Sequence, residues 1–266
     1  MKNLKLFYVI VLFFAILSSQ LFSQQQLSVF KPGEELVYEV SFLGIGLGTI
    51  KIISKGEVEL NGKKVNNAYC EMKSYSGIPF VELHAFFDSW FDKSLTFSYQ
   101  FIGNNKADAN NWDYQKIITD YPNKKVYIEE WKYKEQTMNK WVDFDKKLND
   151  GCSLFFFARQ FTDYGKSIKV PTVINNQLES TTLNFSKKRE MVEIDAIKYP
   201  VKTIYFDGKA EWEAIYGLTG KFKGWFSDDE ARVPIKAEMN VYVGSVKIEL
   251  IKWTREGWTP PRADLK

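Results

Sequence analysis

At 266 residues the chain is long enough for one large domain or two small ones, and 45% hydrophobic with 16% aromatic residues supply a sizeable core, which excludes a disordered chain. The formal charge of +3 belongs largely to the first residues, because removing 1–23 takes away Lys2 and Lys5 and no acid, leaving +1 with the signs interspersed. A near-neutral mature chain carries neither the electrostatic footprint of a nucleic-acid binder nor a polybasic membrane patch.

Lys2 and Lys5, the apolar run Leu6–Leu17 and the small residues of Ser18–Ser23 have the layout of a secretory signal with cleavage near Ser23. The run is too short for a membrane-spanning helix, and no second run approaches the roughly 20 residues a span needs. The chain therefore reads as exported, to the periplasm or the periplasmic side of the outer membrane, with no transmembrane helix once the signal is removed. No cysteine stands at the expected mature start, so nothing points to a lipid anchor.

Residues 24–266 read as one β-rich domain with a short polar tail from about 255. Leu36, Tyr38, Val40 and Phe42 alternate with polar neighbours and predict a first strand. Gly44, Gly46 and Gly48 resemble a phosphate-cradling loop, but Thr49–Ser54 continues as a β-branched strand instead of a helix, so these glycines read as a bend or a close backbone approach. Asn61-Gly62 predicts a two-residue hairpin into a strand over Val65–Tyr75. Strands follow at Val81–Asp88 and Leu95–Ile102, then a polar loop over Gly103–Asn111, a hairpin around Tyr121-Pro122-Asn123, and a short strand at Trp141–Phe144.

The period then changes once. From an Asp150 N-cap, Leu154, Phe157, Ala158 and Phe161 fall at i, i+3, i+4 and i+7, predicting a helix stopped by Gly165. Phe155 and Phe156 make it apolar nearly all round, so it should pack into, or plug, a curved sheet. Strands resume at Ile168–Ile174, Glu179–Phe185, Met191–Ile194 and Val201–Phe206, with Asp207-Gly208 predicting a hairpin into Lys209–Glu213. Phe222, Gly224 and Phe226 alternate next, the acidic run Asp228-Asp229-Glu230 makes a reversal, and a strand from Val233 leads to a turn at Gly244-Ser245. That turn predicts Val243 opposite Val246, Val241 opposite Ile248 and Met239 opposite Leu250. The expected fold is a large antiparallel curved sheet, a barrel or half-barrel that hides its edges, with one apolar helix in or against it.

Cys70 and Cys152 permit one disulfide in an oxidising compartment, or stand as two buried thiols; their spacing fits no zinc site. Pro32-Gly33-Glu34-Glu35-Leu36-x-Tyr38 with Gly44–Gly48, the helix Asp150–Arg159, and Gly224-Trp225-Phe226-Ser227-Asp228-Asp229 with Arg232 and Pro234 together resemble an exported bacterial family, the domain of unknown function 3108. The resemblance spans roughly Phe30–Trp253 and implies export and a β-rich fold in the cell envelope; it implies no activity.

The residues singled out as motif, ligand or interaction candidates are Trp225, Asp228, Asp229, Arg232, Arg159 and Phe157. Adjacent acids on a turn do not place two carboxyls across one bond, as glycoside hydrolysis needs, so the corner reads as a solvated turn paired with Arg232 or Arg159. His84 is the one histidine, and neither a nucleophile elbow nor a metal-ligand cluster surrounds it in sequence. No catalytic, cofactor or metal residue is therefore assigned. Eight tryptophans leave open whether the dry face of the sheet is filled or lines a pocket for an acyl chain or other apolar ligand. The leading expectation is a non-catalytic binder or carrier of a lipid or other apolar envelope component. The alternatives are an adaptor working through protein partners and a carboxylate-based envelope hydrolase. An integral outer-membrane barrel is the structural rival.

Overall fold

A computed structural model describes residues 29–79, 82–212, 220–240 and 245–264. The signal-like segment, Val81, Glu213 and the connection 241–244 lie outside these residues. Fourteen strands form one antiparallel sheet: β1 (Glu35–Phe42), β2 (Ile45–Leu60), β3 (Lys63–Ser74), β4 (His84–Phe91), β5 (Ser98–Lys106), β6 (Trp112–Asp120), β7 (Lys125–Lys132), β8 (Glu135–Asp143), β9 (Ser167–Ile174), β10 (Gln177–Ile194), β11 (Ile197–Ala210), β12 (Gly220–Ser227), β13 (Pro234–Asn240) and β14 (Ser245–Thr254). Each strand pairs with its neighbour in sequence, except that β1 also pairs with β14 and β8 does not pair with β9. The described residues thus form a meander that folds back until its first and last strands adjoin.

The two free edges are β8 and β9. They approach without forming a ladder: Val126, Ile128 and Met138 on one side share a core cluster with Val173 and Leu178 on the other. The chain linking them helps close the gap. Ser98 N donates to Leu148 O at 2.8 Å, and Val173 N donates to Asn149 O at 2.8 Å, so residues 148–149 stitch β5 to β9. The expected barrel or half-barrel is therefore observed, with one seam.

The helix α1 (Gly151–Gln160) sits inside the curve. Asp150 caps it as expected: its Oδ1 accepts from Cys152 N and Ser153 N at 2.9 and 2.8 Å, and Ser153 Oγ accepts from Asp150 N at 2.9 Å. α1 reaches every core cluster: Phe155 packs against the one containing Leu36 and Leu250, Phe156 lies in that of Phe91 and Leu95, Phe157 in that of Leu183 and Phe226, and Cys152 packs against that of Phe101. An all-round apolar helix is what a four-sided site requires. It ends at Gln160, before Gly165, where Thr162 Oγ1 turns back to the carbonyls of Ala158 and Arg159.

Several local expectations are corrected. Asp207-Gly208 is not a hairpin but lies within β11, paired to Asn184-Leu183 on one side and Lys223-Phe222 on the other. Its glycine is required by packing, since a Cβ there would sit 2.3 Å from Thr182 O and 2.5 Å from the Phe222 ring. The same holds at Gly48, where a Cβ would lie 2.3 Å from Lys73 O, the close approach expected for the early glycines, whereas Gly44 serves the β1–β2 turn with Leu43. Glu179–Phe185 and Met191–Ile194 belong to the single strand β10, with a bulge between Phe185 and Arg189. The polar run Gly103–Asn111 is β5 as far as Lys106, and β8 is longer than expected.

The last hairpin is also shifted. Met239 faces Val246 and Ala237 faces Ile248, four residues from the expected register. The even shift keeps every side chain on its face, and it sets Glu238 opposite Lys247 and Lys236 opposite Glu249, the latter pair at 3.1 Å. Charge opposition replaces simple polarity matching. The segment expected as a polar tail is stitched down: Lys202 N donates to Pro261 O, Ala263 N donates to Pro200 O, and Trp258 packs near Trp253.

Candidate functional site, an interior cavity above the helix

Inside the curve the side chains do not meet everywhere. A cavity of about 1280 Å³ lies between the sheet and the face of α1 that carries Gly151, Cys152, Leu154, Phe155 and Ala158. Its walls come from the dry positions of the strands: Val40, Ile50, Met72 and Phe87 on one side, Phe222, Met239 and Ile248 on the other. Small-molecule pockets commonly measure about 300–1,000 Å³, so this volume exceeds what imperfect packing leaves. An apolar cavity of this kind gives water few partners and favours an apolar occupant.

Polar groups contribute the smaller part of the wall's surface. Tyr38 is 4% exposed and its hydroxyl has no hydrogen-bond partner within the chain. Burial pushes its phenol well above the ordinary value, with the charge of Arg159 pulling the other way and that of Glu34 adding to the rise. Cys70 and Cys152 both border the cavity as free thiols. A hydrogen bond with the Cys70 thiol, followed by burial, raises the Cys152 thiol, so β3 and the first turn of α1 meet at this pair. Burial likewise raises Asp150, against the opposing hydrogen bonds from Ser153 and Ser89.

None of the six residues singled out from sequence borders the cavity. Four of them meet behind the helix. Arg159, fully buried, forks onto Glu34, with Nη1 to Oε1 at 2.6 Å and Nη2 to Oε2 at 3.1 Å, and also donates to the carbonyls of Ala231 and Arg232 at 2.9 and 3.1 Å. Arg255 adds a second cation to Glu34. Asp228 pairs with Arg232 and Arg189, each at 3.4 Å, and Arg232 also pairs with Asp163. Asp229 Oδ1 accepts from Ser227 Oγ, Ala231 N and Arg232 N, and its Oδ2 accepts from Trp258 Nε1 at 2.7 Å. The acidic corner is thus paired with Arg232 as expected, whereas Arg159 takes its carboxylate from Glu34 and only carbonyls from the corner. Trp225 donates to Glu190 at 2.6 Å and lies edge-on to Tyr205, and Phe157 packs in the cluster of Leu183, Phe185 and Phe226.

Glu34, Tyr38, the thiol contact and a polar corner at Asn105, Asp113 and Gln115 were not singled out from sequence. Glu34 and Tyr38 stand in the first family-like run, so their motif was visible while their pairing across the chain was not. His84 Nε2 lies 3.0 Å from Glu71 Oε1, with its ring edge-on to Trp112, on the outer face. Among the described residues no group of three or more metal-ligating side chains converges, and no helix is long and apolar enough to cross a membrane.

No family model and no curated protein matches the chain. Among solved structures it is similar to a beta-barrel-like protein of the domain of unknown function DUF1849 from Brucella abortus, with a TM-score of 0.51 and 12% identity over 83% of this chain and 96% of the other. That likeness shows the beta-barrel-like fold and nothing about activity. A protein of Bacteroides fragilis with a YmcC-like fold, provisionally described as exported, overlaps 85% of this chain and 97% of its own at a TM-score of 0.35 and 8% identity, too loosely to transfer anything.

Proposed function

We propose that this chain is an exported, non-catalytic binder or carrier of a lipid or other apolar component of the cell envelope. The observation that carries the reading is the cavity of about 1280 Å³, walled by aliphatic and aromatic side chains and floored by α1. Burying apolar ligand surface there is worth about 25 cal/mol per Å² before ordering costs, enough to hold a single acyl chain. The signal-like residues 1–23 support export to the periplasm. The runs that resemble the domain of unknown function 3108 support a shared framework, because they supply Glu34, Arg159 and the corner carbonyls that hold the helix under the cavity. In this reading Trp225, Asp228, Asp229, Arg232, Arg159 and Phe157 position the cavity floor and do not touch ligand.

The test is native mass spectrometry of the protein isolated from its own envelope fraction, followed by denaturation and analysis of what is released. A stoichiometric apolar molecule is expected. A bare mass equal to the processed chain would overturn the reading and favour the adaptor alternative, for which the exposed Trp131 and Trp141 beside the free edge of β8 offer a surface.

A further inference from the structure

The wall of the cavity is not uniformly apolar, and the register shows where it changes. One row of neighbouring residues runs Tyr38, Ile50, Met72, Ala85, Asn105, Asp113 across β1 to β6. The next runs Ile52, Cys70, Phe87, Gly103, Gln115, Glu130 across β2 to β7. Both rows become polar at β5 and β6, after an apolar stretch that in the first row covers three interstrand steps, about 14 Å. The β9–β10 turn adds Asn175 and Asn176 to the same lining, and Gln115 Nε2 donates to Asn176 Oδ1 across the seam. The polar corner therefore lies where the sheet edges approach without a ladder.

Resting on the binding reading above, we infer that the ligand is an amphiphile bound in one orientation, its apolar tail along β1–β4 and β11–β14 and an uncharged, hydroxyl-bearing head group in the corner of Asn105, Asp113 and Gln115. The corner is balanced in charge. Asp113 and Glu130 face Lys132 and Lys140 in the same lining, and Glu130 pairs with Lys132 at 3.3 Å. A strong anion or cation would meet a like charge there, whereas amides and carboxylates together suit hydroxyl groups, which both donate and accept. Asp113 leaves one carboxylate oxygen without a donor, an acceptor that a small reorientation would offer to a ligand hydroxyl.

Displacement of the uncharged fluorophore N-phenyl-1-naphthylamine from the processed chain tests this, with 1-lauroylglycerol, methyl laurate and laurate below their aggregation limits as competitors. The head-group contacts should make 1-lauroylglycerol about tenfold more effective than methyl laurate, with laurate no better than the ester. In Asn105→Leu, which keeps the side-chain volume, that ratio should fall to about threefold or less, and Asp113→Ala should do the same. Equal displacement by glycerol ester and methyl ester, preference for laurate, or an unchanged ratio in Asn105→Leu would each overturn the head-group inference while the cavity reading stands. Failure of the fluorophore to enter the wild-type chain would overturn the cavity reading beneath it.

Discussion

Leu250 and Ile248 lie two residues apart on the same face of β14 and pack in one apolar cluster, yet their surroundings differ. Leu250 is fully buried among Leu36, Val233 and Ile235, whereas Ile248 is half-buried and borders the cavity. The lower interior is closed by apolar packing and by the Arg159–Glu34 pair; the upper interior is hollow and polar at one corner. The comparison separates two demands on one sheet. A wall that keeps room for a ligand forgoes dispersion contacts, and the packed zone behind α1 has to supply the stability that the hollow zone does not.

The largest effect is expected where the packed zone is sewn together. Arg159→Ala leaves the Glu34 carboxylate buried with Arg255 alone and orphans the Ala231 and Arg232 carbonyls, so it should cost about 3–5 kcal/mol in denaturant unfolding. Replacing both partners by apolar residues, Glu34→Leu with Arg159→Met, should cost less than the single change, because the buried carboxylate leaves with its main cation and only the Arg255 contact to Glu34 is lost. A double variant as unstable as Arg159→Ala would show that the pair is more than a satisfied burial.

The β14 pair sharpens the contrast directly. Leu250→Ala should cost about 3 kcal/mol, since the fixed surroundings retain the space, while Ile248→Ala enlarges a space that already exists and should cost about 1 kcal/mol. Equal costs, measured by chemical unfolding of the unliganded chain, would mean that the upper interior is packed in solution.

These same residues show what the sequence made legible. Alternation at Leu36–Phe42 and the Asn61-Gly62 turn placed strands correctly because each strand has one wet face, and the 3.6-residue spacing from Asp150 isolated the helix. Alternation names the inner face without saying whether anything fills it, so the cavity could be posed as an alternative and not located. Asp207-Gly208 misled because turn residues and packing glycines look alike, and only the Phe222 ring over Gly208 tells them apart. The polar residues up to Lys106 read as a loop because a polar inner corner breaks the alternation that marks a strand. Glu34 and Arg159 are 125 residues apart, and no local pattern pairs them.

The smallest effect concerns the boundary between the two zones. Tyr38 touches both, packing with Leu250 below and bordering the cavity above, and its raised phenol makes that position visible as a pH dependence. In the unfolded chain the phenol loses its proton near 10.0, while the folded chain holds it to higher pH. Above that value the unfolded state binds fewer protons, so stability is fully present below pH 10 and falls as pH rises toward the folded value, by about 1.4 kcal/mol per pH unit for each such tyrosine. Tyr121 is raised by burial in the same direction and contributes its own share. Tyr38→Phe should therefore flatten the alkaline loss of stability between pH 10 and 11 by about 1 kcal/mol, and it also removes a buried hydroxyl that has no partner. An apolar ligand that covers Tyr38 should leave this slope intact, whereas one that donates to its oxygen would stabilise the phenolate and reduce it, so the alkaline slope with and without ligand reports whether the tail or a polar group reaches the cavity floor.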